Sequence, residues 1–484
     1  MEKKIRRFGL LLLALLIIFN IALVIGNWFI EGITLFNVPY EFVLFSLTLI
    51  FVALLHKDTL WVALSGLFLV ILYKVLFIND FDFLHHFMGV NNFADQIMDP
   101  EMRQGEWSIL LNLLGLLLGF AVLSRHFELS GMPEVLPRFL PNDWKGPLIL
   151  LVLVFILSSF LDNIAAALIG GSIALVVFKH KVHIGYVAAI VAASNAGGSG
   201  SVIGDTTTTM MWIDGVAPLN VLHGYIAAFS ALIIFSFFAA RQQDKYQRIQ
   251  KNTSLNAKVD GVRLFIVFLI LAGTILTNVY LDFPALGVWI AILIGSLMRK
   301  TPWVEAKNAI VGSIFLLSLV TCASLMPVEK LPDASVLSAF ILGFVSAVFD
   351  NIPLTKLALE QGCYDWGMLA YSVGFGGSMI WFGSSAGVAI TNKFPDARNV
   401  FQWLKSGWHI TVAYIVGFGV LWLVWGWEPA DNNKVKVCDC EKKEKSAEAS
   451  NKNKSTLSNQ YSLITSNIAV SESTLYFSEV ISCK

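Results

Sequence analysis

Uninterrupted apolar stretches recur along most of this chain. Several of them approach or exceed the roughly 18–20 residues that an α-helix needs to cross the hydrocarbon core of a bilayer. Of the 484 residues, 56% are hydrophobic and 14% are charged, whereas a soluble domain is about 25% charged. The short alternating segments that are typical of a membrane β-barrel are missing from the sequence. The pattern therefore predicts an all-α polytopic membrane protein.

The basic residues orient the predicted spans, because Lys and Arg concentrate in short cytoplasmic loops. The first residues, "MEKKIRR", are placed in the cytoplasm and lead into an uncleaved first helix. The loop at 79–106 has six acidic residues and one Arg, which indicates the outside. The loop at 241–263 has six basic and two acidic residues, which indicates the inside. On this reasoning about 11 transmembrane helices cross the membrane, and the N-terminus is cytoplasmic.

Two apolar stretches that contain Asp-Asn-Ile are too short for two spans. "SSFLDNIAAALIGG", with Asp162, lies in the stretch 146–178, and "SAVFDNIPLTKLAL", with Asp350, lies in the stretch 334–361. Two full spans need about 40 residues. We therefore predict two re-entrant hairpins, each turning near its Asp-Asn and leaving on the side where it entered. Irregular backbone at that depth is tolerated only where protein or a wet cavity covers it.

Each hairpin is followed by a span that small residues interrupt, at 184–213 and at 367–391. "GGSGSVIGDTTTT", from Gly197, pairs without gaps with "GGSMIWFGSSAGV", from Gly376. The two halves start on opposite sides of the membrane, so we predict an inverted-topology repeat, the plan of many secondary transporters. The predicted units are an N-terminal extra helix at 1–38, a first inverted repeat at 39–240, a cytoplasmic linker at 241–261, a second inverted repeat at 262–427 and a disordered polar tail at 428–484.

Broken helices place polar groups near the middle of the membrane, where they serve as ion ligands. We expect Asp162, Asp205 and Asp350 to converge on one cavity. The alternative is that each Asp caps a half-helix, which is compatible with ion binding. The candidate ion ligands all carry oxygen, and they are Asp162, Asn163, Ser194, Asn195, Asp205, Thr206, Thr207, Thr208, Asp350, Asn351, Thr355, Ser384 and Ser385.

Oxygen ligands suit a hard cation, and no Arg lies in either hairpin or break. Lys356 is the exception; it could neutralise a carboxylate or reach toward the outer face, and a structural role is favoured. A buried carboxylate that holds either a proton or a metal cation exchanges one for the other by competition. Such exchange needs no covalent chemistry and no cofactor, so an enzyme is not predicted. The sequence has no P-loop for ATP and no basic domain for nucleic acid.

Four motifs carry a resemblance to a known family: "FLDNIAAALIGG", "ASNAGGSGSVIGDTTTTMMWI", "VFDNIPLT" and "GGSMIWFGSSAGVAI". With these the chain resembles the NhaD-type sodium/proton antiporters of the ion-transporter superfamily, which includes arsenite permeases and citrate carriers. The resemblance covers most of 107–427. It implies a homodimeric antiporter of the bacterial inner membrane that exports Na⁺ or Li⁺ in exchange for H⁺. By the same resemblance Asp162, Asp205, Asp350 and the threonines at 206–209 bind the cation and the proton.

Two other functions remain open at this stage. A sodium-coupled carboxylate or oxyanion (arsenite-like) transporter would use the same fold, and positive groups facing its substrate would distinguish it from an antiporter. A channel would not need hairpins from both sides, and a receptor would not need paired carboxylates in the middle of the membrane.

Overall fold

The computed structural model describes residues 34–35, 38–55, 58–250 and 258–432. The predicted first helix, the middle of the predicted linker (251–257) and the predicted tail from 433 onward lie outside the described residues. Within those ranges the chain is mostly helical. A pair of two-residue strands, β1 (Thr34–Leu35) and β2 (Val38–Pro39), is antiparallel.

The helices of the first half follow one another with short connections. They are α1 (Tyr40–Leu54), α2 (Thr59–Phe77), α3 (Phe83–Met88), α4 (Phe93–Met98), α5 (Trp107–Glu128), α6 (Met132–Val135), α7 (Lys145–Ser158), α8 (Asn163–Val177), α9 (Ile184–Gly198), α10 (Thr206–Ile213), α11 (Leu219–Leu222) and α12 (Gly224–Tyr246). The acidic loop predicted at 79–106 contains the two short helices α3 and α4, because the side chains of Asp82 and Asn92 cap their first turns.

The helices of the second half repeat the same alternation of long and short elements. They are α13 (Gly261–Leu281), α14 (Pro284–Met298), α15 (Trp303–Ser324), α16 (Val336–Ser346), α17 (Asn351–Gln361), α18 (Trp366–Gly376), α19 (Ser385–Thr391), α20 (Val400–Ser406) and α21 (Trp408–Trp425).

Six helical segments of the described chain are long and apolar enough to cross a membrane. They are Thr59–Phe77, Trp107–Glu128, Leu219–Tyr246, Gly261–Leu281, Trp303–Ser324 and Trp408–Trp425. Large apolar side chains on them face outward; for example, Phe268 is 64% exposed and Leu423 is 80% exposed. Side chains of this kind are stable in lipid rather than in water. The chain is therefore a multi-pass membrane protein.

Four helices begin after an interruption inside an apolar stretch. Residues 159–162 separate α7 from α8, residues 199–205 separate α9 from α10, residues 347–350 separate α16 from α17, and residues 377–384 separate α18 from α19. The helices α10 and α19 have only eight and seven residues. At about 1.5 Å per residue they are about 12 and 10 Å long, far less than the roughly 30 Å of a hydrocarbon core.

The interrupted helices form the centre of the molecule. Every residue of α9 from Gly185 to Gly198 is buried, and so is every residue of α18. These two helices contact each other, and the short helices cross between the halves, because α10 packs on α17 and α19 packs on α8. The ends of all four interrupted segments are thereby brought into one region.

This close packing predicts a specific effect of a small substitution. A Cβ atom on Gly376 would lie 2.7 Å from the Cα atom and 2.8 Å from the carbonyl carbon of Gly343, whereas one on Gly419 would meet no atom within 4 Å. We expect Gly376→Ala to lower the free energy of unfolding by about 1–3 kcal/mol, since the backbone has to shift. Gly419→Ala is the matched control and is expected to change it little. Thermal unfolding of the purified variants in detergent measures the difference, and equal midpoints would contradict the packing described.

Candidate functional site

Each of the four half-helices begins with a side-chain cap. The side chains of Asp162, Asp205, Asp350 and Ser384 precede α8, α10, α17 and α19, and each accepts a backbone N–H from the first turn. The N···O distances are 3.1 Å for Asp162, 3.2 Å for Asp205, 3.0 Å for Asp350 and 3.3 Å for Ser384. The capping alternative considered from the sequence is therefore observed. Capping needs only part of each carboxylate, so oxygen atoms remain for other partners.

Asp205 links the three carboxylates electrostatically. Asp205 is 2% exposed and experiences the charges of both Asp162 and Asp350. No Lys, Arg or His within the described ranges forms an ion pair with any of the three. The Oδ2 atom of Asp205 also accepts no hydrogen bond from the described part of the chain. A buried carboxylate oxygen without a partner is costly, and it calls for a proton or a cation.

Small residues keep the space beside Asp205 open. A Cβ atom on Gly374 of α18 would lie only 3.3 Å from Asp205 Oδ2. Nearby, Ser385 donates a hydrogen bond from Oγ to Asp350 Oδ2 at 3.3 Å. Because position 374 is a glycine, no side chain from it fills the space next to Asp205 Oδ2.

Asn195 connects the two halves of the site. Its Nδ2 atom lies 2.9 Å from Ser378 Oγ and 3.1 Å from Ser384 Oγ. Its Oδ1 atom accepts a hydrogen bond from Asn163 Nδ2 at 3.1 Å. All four side chains are buried. A fully satisfied buried network of this kind fixes the relative positions of the helices that carry it.

Several predicted ligands donate their hydroxyl hydrogen to nearby backbone, which leaves the lone pairs of the oxygen available. Ser194 donates to the carbonyl of Val191, Thr208 to that of Ser201, and Thr355 to that of Asn351, at 2.9, 2.6 and 2.9 Å. These three side chains support the breaks and the helices beside them. Thr207 is buried next to its own capping Asp205, Thr206 is half-buried, and the Nδ2 atom of Asn351 has no hydrogen-bond partner in the described structure.

The two halves share matched contacts around the breaks. Ser158 donates from Oγ to the carbonyl of Ser194 at 2.6 Å, and Ser346 donates in the same way to the carbonyl of Val373, also at 2.6 Å. Both serines lie four residues before the capping Asp of their half. Each bond ties the last turn before a break to the helix that leads into the next break, α9 or α18.

A cavity of about 340 Å³ reaches the site from one end of the molecule. Near the site it is lined by Asp162, Thr206 and Ser385. Its other lining residues include Arg125 and Glu128 at the last turn of α5. The cavity therefore runs from the capping carboxylate of α8 to the C-terminal end of α5.

Charged residues that the sequence analysis did not select lie at the outer part of this cavity. Arg125 lies 2.7 Å from Glu128 and 3.6 Å from Glu305. In the sequence, each of these charged residues lies near the end of an apolar helix. No neighbouring residue in the sequence indicates that Arg125 of α5 and Glu305 of α15 come together.

Of the two functional alternatives considered for Lys356, the structure agrees with neutralisation of a carboxylate and not with a position at the outer face. Lys356 is completely buried, so its amine does not reach the outer face, and it pairs with Glu106 and Glu360 rather than with Asp350. The i,i+4 spacing of Lys356 and Glu360 in the sequence indicated that these two residues could pair. Nothing in the sequence indicated the pairing of Lys356 with Glu106, which lies 250 residues earlier.

Comparisons with known proteins place the chain in a family. A family model described as citrate transporter (CitMHS) matches residues 42–362, about two thirds of the chain. Sodium/proton antiporter 1 of Arabidopsis thaliana is 30% identical over 280 residues, which cover 49% of this chain and 48% of that protein. The chain thus spans about half the length of this relative.

Two bacterial relatives are matched over a larger share of their length. The Na(+)/H(+) antiporter NhaD of Alkalimonas amylolytica is 27% identical over 334 residues, 56% of this chain and 68% of that protein. The Na(+)/H(+) antiporter NhaD of Vibrio cholerae is 25% identical over 322 residues, 54% of this chain and 67% of that protein. The chain belongs to the citrate transporter family and is an NhaD-type transporter of the ion transporter superfamily.

Proposed function

We propose that this protein exchanges Na⁺ or Li⁺ for H⁺ across the membrane, by competition of the cation and the proton for Asp162, Asp205 and Asp350. One observation carries the proposal: three carboxylates cap broken helices, Asp205 interacts electrostatically with the other two, and none of the three has a cationic partner within the described residues. The relatives that are named Na(+)/H(+) antiporters support it. The transported ions are substrates, and the exchange needs no resident cofactor.

The charges around the site suit one monovalent cation. A helix N-terminus acts as about half a positive charge, so the four N-termini of α8, α10, α17 and α19 contribute about two. Three ionised carboxylates contribute three negative charges, which leaves a deficit of about one. One Na⁺, one Li⁺ or one H⁺ restores the balance. Since the same deficit accepts either a metal ion or a proton, binding of one disfavours the other.

The oxygen atoms around the three carboxylates are of the type that hard cations prefer. Asp205 Oδ2 is the central candidate, because it is buried and accepts no hydrogen bond in the described structure. Asp162, Thr206 and Ser385 line the cavity that leads to the site, and Ser385 already contacts Asp350. We propose that these five residues contribute most of the ligands, with Asn163, Asn195 and Ser384 holding them in place.

The finer topology belongs to the same proposal. We propose about 11 transmembrane helices with two re-entrant hairpins, α7–α8 and α16–α17, in an inverted-topology repeat. The matched hydrogen bonds of Ser158 and Ser346 support the repeat. A bacterial inner-membrane location, a cytoplasmic N-terminus and a homodimer follow from the basic loops and from the resemblance to the NhaD-type antiporters.

The description of the family as citrate transporter favours a second candidate, sodium-coupled uptake of a carboxylate. The charges of the cavity argue against it. The cavity contains Arg125, but this side chain pairs with Glu128 and Glu305, and Asp162 adds a further carboxylate. A multiply charged anion would meet more negative than positive charge along this route, whereas a cation would be attracted.

Removal of a single carboxylate is expected to abolish the exchange. In inverted membrane vesicles that hold a respiration-driven pH gradient, Na⁺ or Li⁺ dissipates the gradient when the wild-type protein is present. We expect Asp162→Asn and Asp350→Asn to lose this response, because the amide cannot exchange a proton for a cation. Asp396→Asn, at an exposed position in a short helical turn, is the matched control and keeps it. Dissipation that persists in both site variants would contradict the proposal.

Binding is expected to be measurable without transport. Na⁺ at about ten times its Kd stabilises the wild-type protein by about 1.4 kcal/mol, which raises the midpoint of thermal unfolding in detergent above that in choline chloride of equal ionic strength. We expect Asp205→Asn to remove this shift and the exposed control Asp333→Asn to retain it. Lower pH reduces the shift, since protons occupy the same oxygen atoms. A shift caused by citrate but not by Na⁺ or Li⁺ would instead support the carboxylate transporter.

A further inference from the structure

A buried network of ion pairs lies away from the cavity. Lys356 Nζ is 2.8 Å from Glu106 Oε2 and 2.6 Å from Glu360 Oε1. The lysine is fully buried, and the side chain of Glu106 is only 4% exposed. Lys356 and Glu360 are both on α17, while Glu106 immediately precedes α5. One pair therefore lies within a helix, and the other joins two helices.

The network is located at the far ends of the half-helices that begin at the site. Lys356 lies six residues after Asp350, which is about 9 Å along α17. Asp214 lies directly after α10, whose first turn is capped by Asp205. Asp214 is buried and also interacts electrostatically with Lys356. The same two short helices thus carry site carboxylates at one end and this network at the other.

A second cavity, of about 790 Å³, borders the network. Its lining is largely polar and includes Asp214 of the network together with Ser108 and Ile109 of α5. It lies at the N-terminal end of α5, whereas the first cavity borders α5 from Leu113 to Glu128. Along α5 the two linings are separated by the four residues from Ile109 to Leu113, which is about 6 Å.

We propose that the Glu106–Lys356 ion pair is the gate that closes the carboxylate site toward the second cavity, and that the two side chains separate when an ion passes on that side. The pair ties α17 to α5, so it holds the half-helices against α5. When Lys356 separates from Glu106 it remains paired with Glu360, so the buried lysine still has a partner in the open state.

Two matched variants distinguish a gate from a purely structural ion pair. Glu106→Gln and Glu360→Gln each remove one carboxylate from the same lysine, but only Glu106→Gln weakens the contact between helices. Met210, which is fully buried and one turn before Asp214 on α10, is changed to Cys as a reporter. Ala309, which lines the first cavity, is changed to Cys as a second reporter. Purified protein is treated with a charged methanethiosulfonate, and mass spectrometry of each peptide gives the labelling rate.

The gate predicts opposite changes at the two reporters. With Glu106→Gln we expect labelling at position 210 to rise about tenfold, which corresponds to about 1.4 kcal/mol in the closed-to-open equilibrium, and labelling at position 309 to fall. With Glu360→Gln we expect labelling at position 210 to stay at or below that of the parent, because the open state loses the carboxylate that keeps Lys356 paired. Equal effects of the two variants, no rise at 210, or a rise at both positions would overturn the proposal.

Folding is checked by size-exclusion profile and thermal unfolding. If Glu106→Gln gives no folded protein, Glu106→Asp is used in the same comparison. It keeps the charge on a side chain one methylene shorter, and a smaller rise at 210 is expected; no rise would overturn the proposal. The gate rests on transport as the function but not on the identity of the ion. Labelling needs no ion gradient, so failure of the exchange assay leaves this result interpretable.

Discussion

The rest of the structure depends on the way in which four helices begin inside apolar stretches of the chain. Each helix N-terminus leaves up to four backbone N–H groups without intrahelical partners, and hydrocarbon offers no water to satisfy them. The chain supplies an oxygen cap in every case, from Asp162, Asp205, Asp350 and Ser384. A carboxylate and a helix N-terminus stabilise each other electrostatically. The requirement of the backbone therefore places acidic groups at the breaks between apolar helices, and each carboxylate has a second oxygen that the cap does not use.

The two halves use the same backbone plan with different chemistry. Where the first half has Asp205, the paired position in the second half has Ser384, so the site has three carboxylates and not four. Where the first half has Asn195, the second has Gly374, and this glycine lies next to Asp205 Oδ2. Asn195 meanwhile reaches across to Ser384. In the proposed exchange, these asymmetries keep the charge deficit near one and leave space beside the Oδ2 atom of Asp205.

Local chemistry made the breaks and their caps predictable from the sequence. Asp and Asn at a helix start and consecutive glycines inside an apolar run act over a few residues, and the structure places caps at Asp162 and Asp350 and breaks at the glycines. The contacts between helices were not predictable in this way. Nothing near Asn195 specifies Ser378 as its partner, and nothing near Lys356 specifies Glu106. Side-chain conformations were not predictable either, since Thr208 donates to the carbonyl of Ser201 and its position in the sequence did not indicate this contact.

The two ends of α5 carry ion pairs in very different surroundings. At the end near the first cavity, Arg125 and Glu128 are 41% and 35% exposed, and an ion pair in such surroundings contributes at most about 1 kcal/mol. At the other end, Lys356 and Glu106 are almost fully buried, and removal of one partner from a buried pair costs about 3–5 kcal/mol. Opening the first end is therefore easy, while opening the second requires an alternative partner for the lysine. Glu360 supplies one on the same helix, so α17 can move without leaving its charge unpaired.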